Sequence, residues 1–126
     1  NDGASIMALT YYGSTRYMQS YNVMGVAKAA LETSIKYLAV DMGDRGIRVN
    51  AISAGPMRTL AGAVINKSRK IYNYTIENSP IKKPLSLTDI GKSSVYLMSD
   101  LSKGVTGEIL YVDNGYNKVG MSVQEL

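Results

Sequence analysis

The chain has no cysteine and no histidine among its 126 residues. Without cysteine there is no disulfide framework and no thiolate nucleophile; without histidine the commonest imidazole base and the commonest zinc ligand are gone. Proton chemistry must fall to tyrosine, lysine or a carboxylate, and no metal site is expected. No apolar run reaches the roughly 20 residues of a membrane-spanning helix. The opening NDGASIMALT has no basic stretch ahead of its short apolar one, as a signal peptide would. The expectation is a soluble intracellular protein with no membrane span.

What is present suffices for one compact core: 45% of the residues are hydrophobic, at a length ordinary for a single domain. The net charge of +4 is scattered, although Lys67, Arg69 and Lys70 cluster, as do Lys82 and Lys83. A solvated surface is the plainest reading of that charge, ahead of attraction to an acidic protein or a phosphorylated ligand. Nucleic acid comes last, because no nucleic-acid motif accompanies the cations.

Ala4 to Thr10 (ASIMALT) reads as a buried strand with no preceding element to pair with. After a loop carrying Tyr11, Tyr12 and Gly13, a long helix is expected from about Tyr21 to Met42. Val23, Ala27, Ala30, Leu31, Ser34 and Leu38 recur along it at helical spacing and mark its packing face. Gly43 and Gly46 end it. Ile47 to Ser53 alternates as a strand and runs into the turn signal AGP. Strand, crossover helix and strand imply two parallel strands with a right-handed connection, the unit of a doubly wound sheet. Downstream, Thr59 to Asn78 reads as two short helices, with Pro80 and Pro84 breaking the chain after them. A helix from about Leu87 to Ser99 has Ser86 and Asp89 at capping-box spacing, and Glu108 to Val112 gives a last strand. The fold class is α/β, and residues 1–126 read as the C-terminal half of a Rossmann-like doubly wound parallel sheet.

Tyr21 and Lys28 stand out chemically. They are seven apart, so on a helix they differ by roughly 20° around the axis and lie about 10 Å apart along it. A nearby ammonium biases a phenol toward its oxyanion and makes it a better donor to a carbonyl that gains negative charge. The same lysine can hold sugar hydroxyls. Spacing alone leaves open that both residues merely occupy a half-exposed helix face.

The surroundings of this pair are more specific. YNVMGVAKAALE followed by GIRVNAISAGPMRTLA, with the closing EILYVDNGY, resembles the enoyl-acyl-carrier-protein reductases of bacteria and plastids, from about Ala4 to Met121. These belong to the short-chain dehydrogenase/reductase superfamily, whose ordinary members place Tyr four before Lys and a serine thirteen before that Tyr. Here those places hold Met24 and Tyr11, and a tyrosine ten before the catalytic one is the enoyl pattern. The resemblance implies reduction of a trans-2-enoyl-acyl-carrier-protein thioester by a nicotinamide cofactor, NADH with NADPH as the alternative. Tyr21 would stabilise the enolate oxygen, Lys28 would bind the nicotinamide ribose and Tyr11 would line the substrate side with Met24. Thr10, Ala54, Pro56, Met57 and Thr59 match positions around the nicotinamide and its phosphates. Thr59 to Lys70 matches a mobile segment over the acyl site, where Ala61, Gly62 and Ala63 leave room for a chain. Ser68 stands where relatives often carry an aromatic residue.

The resemblance also implies an acyl carrier protein as partner, a homotetramer formed through the helices near Tyr21 and Leu87, and a bacterial cytoplasm or plastid stroma as the setting. No glycine-rich strand-turn-helix motif for the dinucleotide occurs in the chain. Family members are about twice as long, so the N-terminal, dinucleotide-binding half is expected to be missing, and the chain alone should bind dinucleotide poorly. Two readings compete with the enoyl reductase: a classical ketone or alcohol reductase, and a non-catalytic fragment that keeps only assembly surfaces.

Overall fold

A computed structural model describes residues 3–65 and 67–121, with the side chain of Ala61 outside the description. Strands β1 (Ala4–Thr10), β2 (Ile47–Ala54) and β3 (Ile109–Val112) form one parallel sheet in the order β1-β2-β3. Ala4 pairs with Ile47 at one end of β1 and Thr10 with Ser53 at the other; Ala51 to Ala54 pair with Ile109 to Val112. Helix α1 (Val23–Met42) joins β1 to β2, and α2 (Leu60–Ala63), α3 (Ser68–Asn78) and α4 (Leu87–Met98) lie between β2 and β3.

The period of two along β2 divides the core between its faces. Val49 and Ala51 point to one side and pack with Ile35 and Ala39 of α1. Ile52 points to the other, against Ile90 and Leu97 of α4. Central β2 is therefore covered on both faces, and its polar residues Asn50 and Ser53 are fully buried, unlike the half-exposed strand its alternation describes. Asn50 is satisfied by donating from Nδ2 to the Val105 carbonyl and accepting at Oδ1 from the Glu108 amide. Arg48 reaches the end of α4 and donates to the carbonyls of Leu97, Ser99 and Val105 and to Ser102 Oγ. Those bonds occupy carbonyls that a helix terminus leaves without partners.

Three expectations need correction. β1 has the expected bounds but is not buried: among the described residues it pairs only with β2, and Ile6 and Leu9 are exposed. Helix α1 starts at Val23, not Tyr21, because Asn22 takes φ 55° and ψ −133°, a conformation no helix contains. The face of α1 that packs is also different. Val23, Ala27, Ala30, Ser34 and Leu38 are exposed, whereas Ile35, Ala39 and Met42 meet the sheet. Extended toward the helix start at three-and-four spacing, that packed stripe runs through Glu32 and Lys28. Their charges disguise it as a polar face. The capping box of α4 is present, with Ser86 Oγ accepting from the Asp89 amide and Asp89 accepting from the Ser86 amide.

Candidate active site

The C-terminal ends of parallel strands open the crevice where α/β sheets bind ligands. Here β1 runs at Thr10 into a single 3₁₀ turn, Tyr12–Ser14, and β2 runs at Ala54 into Gly55, Pro56 and Met57. Gly55 is buried so closely against the loop after β3 that a Cβ there would lie 3.1 Å from Asp113 Cα. Asp113 stiffens that loop by accepting from the amides of Gly115 and Asn117.

Tyr21 sits in a turn between two residues of positive φ, Ser20 at 66° and Asn22 at 55°. Such conformations in non-glycine residues persist only where the surroundings enforce them. Its ring is 8% exposed and meets the edge of the Tyr11 ring at 4.9 Å between centroids, with 74° between planes. Gly13 lies directly against the same ring: a Cβ there would stand 2.5 Å from Tyr21 Cδ1. Gly25 of α1 in turn approaches the Gly13 carbonyl.

The ammonium of Lys28 donates to the Leu9 carbonyl at 2.9 Å, one residue before the end of β1. This corrects the expected acidification of Tyr21. Burial raises the Tyr21 phenol above the ordinary tyrosine value. Tyr11 is pushed up further, first by burial and then by Tyr116, Tyr21 and Asp113. Both hydroxyls thus stay protonated at neutral pH and serve as hydrogen-bond donors.

A cavity of about 200 Å³ brings together seven of the residues singled out in the sequence: Tyr11, Tyr21, Pro56, Met57, Thr59, Gly62 and Ser68. Thr10 and Lys28 lie at the end of β1 outside this lining, and Ala54 lies at the end of β2. Met24, in the first turn of α1, is 45% exposed and does not line the cavity. Ala61 belongs to α2, but its side chain lies outside the described residues. Thr59 caps α2 by accepting from the Gly62 amide. One helical turn along α3 from Ser68, Tyr72 lines the same cavity beneath the Arg58 guanidinium, 5.2 Å from its ring centroid. Met18, Ile65 and Ile71 complete an apolar wall that no motif announces.

The donors at the strand ends suit the nicotinamide-ribose end of a dinucleotide. Lys28 has two N–H bonds beyond the one given to Leu9.

A family model described as "Enoyl-(Acyl carrier protein) reductase" matches residues 1–117. The chain belongs to that family. It is 60% identical over 121 residues to the enoyl-[acyl-carrier-protein] reductase [NADH] 1 of Rhizobium meliloti, a match covering 96% of this chain and 44% of that one. The crystal structure of FabI from Candidatus Liberibacter asiaticus superposes with a TM-score of 0.93 at 57% identity, covering 97% of this chain and 47% of that one. The enoyl-acyl-carrier-protein reductase of Anaplasma phagocytophilum, solved with NAD, gives a TM-score of 0.91 at 52% identity over 98% and 47%. The chain therefore spans about half the length of the reductases it matches, and its fold corresponds to the C-terminal half of their Rossmann-like sheet. Among the described residues no helix is long and apolar enough to cross a membrane.

Proposed function

We propose that the chain carries the proton-donating and acyl-binding side of an NADH-dependent enoyl-acyl-carrier-protein reductase. The observation that carries this reading is the buried, protonated Tyr21, held edge-on by Tyr11 at an apolar cavity beside the strand ends.

When bound, a reduced nicotinamide supplies hydride to the β-carbon of a trans-2-enoyl thioester. Tyr21 donates a hydrogen bond to the thioester oxygen, which gains negative charge as that carbon is reduced. A phenol whose pKa is raised keeps its proton until the oxygen needs it. Tyr11 holds the Tyr21 ring at its edge and bounds the acyl side. Lys28, Thr10 and the Ala54 to Met57 backbone hold the nicotinamide and its ribose, with Thr59 toward the phosphates. Met57, Ser68 and Tyr72 border the acyl chain, with α2 and α3 covering it from water. Met24, on the exposed first turn of α1, borders the route in.

The partner is an acyl carrier protein. Lys67 and Lys70 line a surface cavity of about 570 Å³ with Tyr17 and Tyr74, on the outer side of that cover, and their charge suits an acidic carrier. Exposed apolar residues on α1 (Val23, Val26, Val40) and α4 (Leu87, Val95, Met98) support assembly into a homotetramer. The bacterial cytoplasm or a plastid stroma is the setting of this chemistry.

The test compares substrates on the whole protein. Oxidation of NADH with a trans-2-enoyl thioester, and none with a 3-ketoacyl thioester, is the expected result. The reverse preference makes the chain a ketone reductase and overturns the reading.

A further inference from the structure

Glu32 has no part in this chemistry, yet it is half-buried in the middle of α1. One of its oxygens, Oε1, accepts two short hydrogen bonds, from Thr10 Oγ1 at 2.7 Å and from Ser14 Oγ at 2.6 Å. Charge-assisted bonds of this length are the strong ones. Thr10 is the last residue of β1 and is 4% exposed; Ser14 closes the 3₁₀ turn. A single carboxylate oxygen thus ties together the two ends of the segment that contains Tyr11, Tyr12 and Gly13.

That segment forms one wall of the Tyr21 environment. Tyr11 contributes the ring that meets Tyr21 edge-on, and Gly13 lies against Cδ1 and Cε1 of the Tyr21 ring. Gly25, Lys28 and Glu32 follow one another at three-and-four spacing on α1, so they share a helix face. All three hold the end of β1 or the turn after it: Gly25 by close approach to the Gly13 carbonyl, Lys28 through the Leu9 carbonyl, Glu32 through two hydroxyls.

We propose that Glu32 is a positioning residue for the tyrosine pair, setting where Tyr11 stands against Tyr21 by tethering both ends of the turn between them. The kinetic consequence rests on the reductase reading; the tether itself does not. Both bonds end on the same oxygen, so an amide in place of the carboxylate keeps an acceptor for each hydroxyl, whereas leucine, apolar and one carbon shorter, keeps none.

The test uses the whole protein with ¹³C-labelled tyrosine, the Tyr11 and Tyr21 resonances being assigned by Tyr→Phe substitution. In Glu32→Leu both resonances are expected to shift and broaden, and kcat for the enoyl thioester to fall about tenfold or more through misplacement of the donor. Glu32→Gln restores both readouts. Ser14→Ala, which removes one of the two bonds and is mild enough to fold in any case, moves the same resonances to a smaller extent. Unmoved Tyr11 and Tyr21 resonances in Ser14→Ala and in a folded Glu32→Leu overturn the proposal, as does a Glu32→Gln protein no better than Glu32→Leu. Should the resonances respond in a protein that reduces no enoyl thioester, the tether stands and the reductase reading falls.

Discussion

The Tyr11 and Tyr21 rings meet edge to face, 4.9 Å between centroids, and this contact fixes the two rings against each other. Edge-to-face pairs contribute about 0.5–1.5 kcal/mol beyond their burial. The geometry also keeps both hydroxyls away from the solvation that phenolates need. Burial accounts for the raised pKa of both groups, and for that of Tyr116.

Those raised values predict how stability depends on pH. In the unfolded chain these tyrosines lose their protons near the ordinary value of 10.0, while the folded chain keeps them. Above that pH the folded state binds more protons than the unfolded one, so stability falls as pH rises. The contribution is fully present below pH 10 and is lost on passing through the higher folded values. Thermal unfolding followed from neutral to strongly alkaline pH should show a Tm that declines above about 10. Tyr21→Phe should shallow that decline, and an equally steep decline in Tyr11→Phe and Tyr21→Phe would exclude these groups as its source.

Gly13→Ala should be among the most damaging small substitutions near the site. Its methyl would stand 2.5 Å from Tyr21 Cδ1 and 2.8 Å from Cε1, so the ring would have to leave its place at the cavity wall. Overpacking of this kind costs about 2 kcal/mol. Chemical denaturation should report that loss, together with an altered tyrosine near-ultraviolet dichroism.

Asn22 holds φ 55° and ψ −133°, a conformation that costs a residue with a Cβ about 1–3 kcal/mol and glycine much less. Asn22→Gly should therefore raise stability by about 1 kcal/mol, after allowing for the greater freedom of glycine in the unfolded chain. Asn22→Ala should lower it. The two midpoints of denaturation, measured side by side, check the sign of each change.

How much of this was legible in the sequence depended on whether the signal was local. The bounds of β1, the two helices after Thr59 and the Ser86–Asp89 capping box follow from short-range patterns, and the structure contains them. The packing face of α1 was not legible. Its sheet-facing stripe carries Lys28 and Glu32 in its first half, so the hydrophobic pattern pointed to the opposite, exposed side. The position of Tyr21 ahead of the helix turns on a backbone angle at Asn22, of which the only hint is that asparagine tolerates positive φ better than most residues. Tyr11, Tyr21, Pro56, Met57, Thr59 and Ser68 were found by resemblance and meet at one cavity. Tyr72 and Ile71 reach it only because α3 folds back over the strand ends, which no spacing in the sequence announces.

Arg48 provides a control remote from the tyrosine pair. Its guanidinium serves three carbonyls and the Ser102 hydroxyl at the end of α4. Arg48→Met removes four charge-assisted bonds but leaves each acceptor another partner, in Ser5, Asn50 or Ser102, and should destabilise by about 2 kcal/mol. In protein that remains folded, kcat should be unchanged; a large kcat loss with intact stability would mean that the two ends of the sheet are coupled.

Steady-state kinetics of the whole protein carrying Tyr21→Phe, with Lys28→Ala alongside, separate proton donation from cofactor binding. Losing one preorganised donor to a developing oxyanion slows reduction by about 10²-fold, so Tyr21→Phe should lower kcat by that order and leave the KM for NADH unchanged, whereas Lys28→Ala should chiefly raise that KM. A Tyr21→Phe protein that reduces the enoyl thioester at the unaltered rate contradicts the central claim.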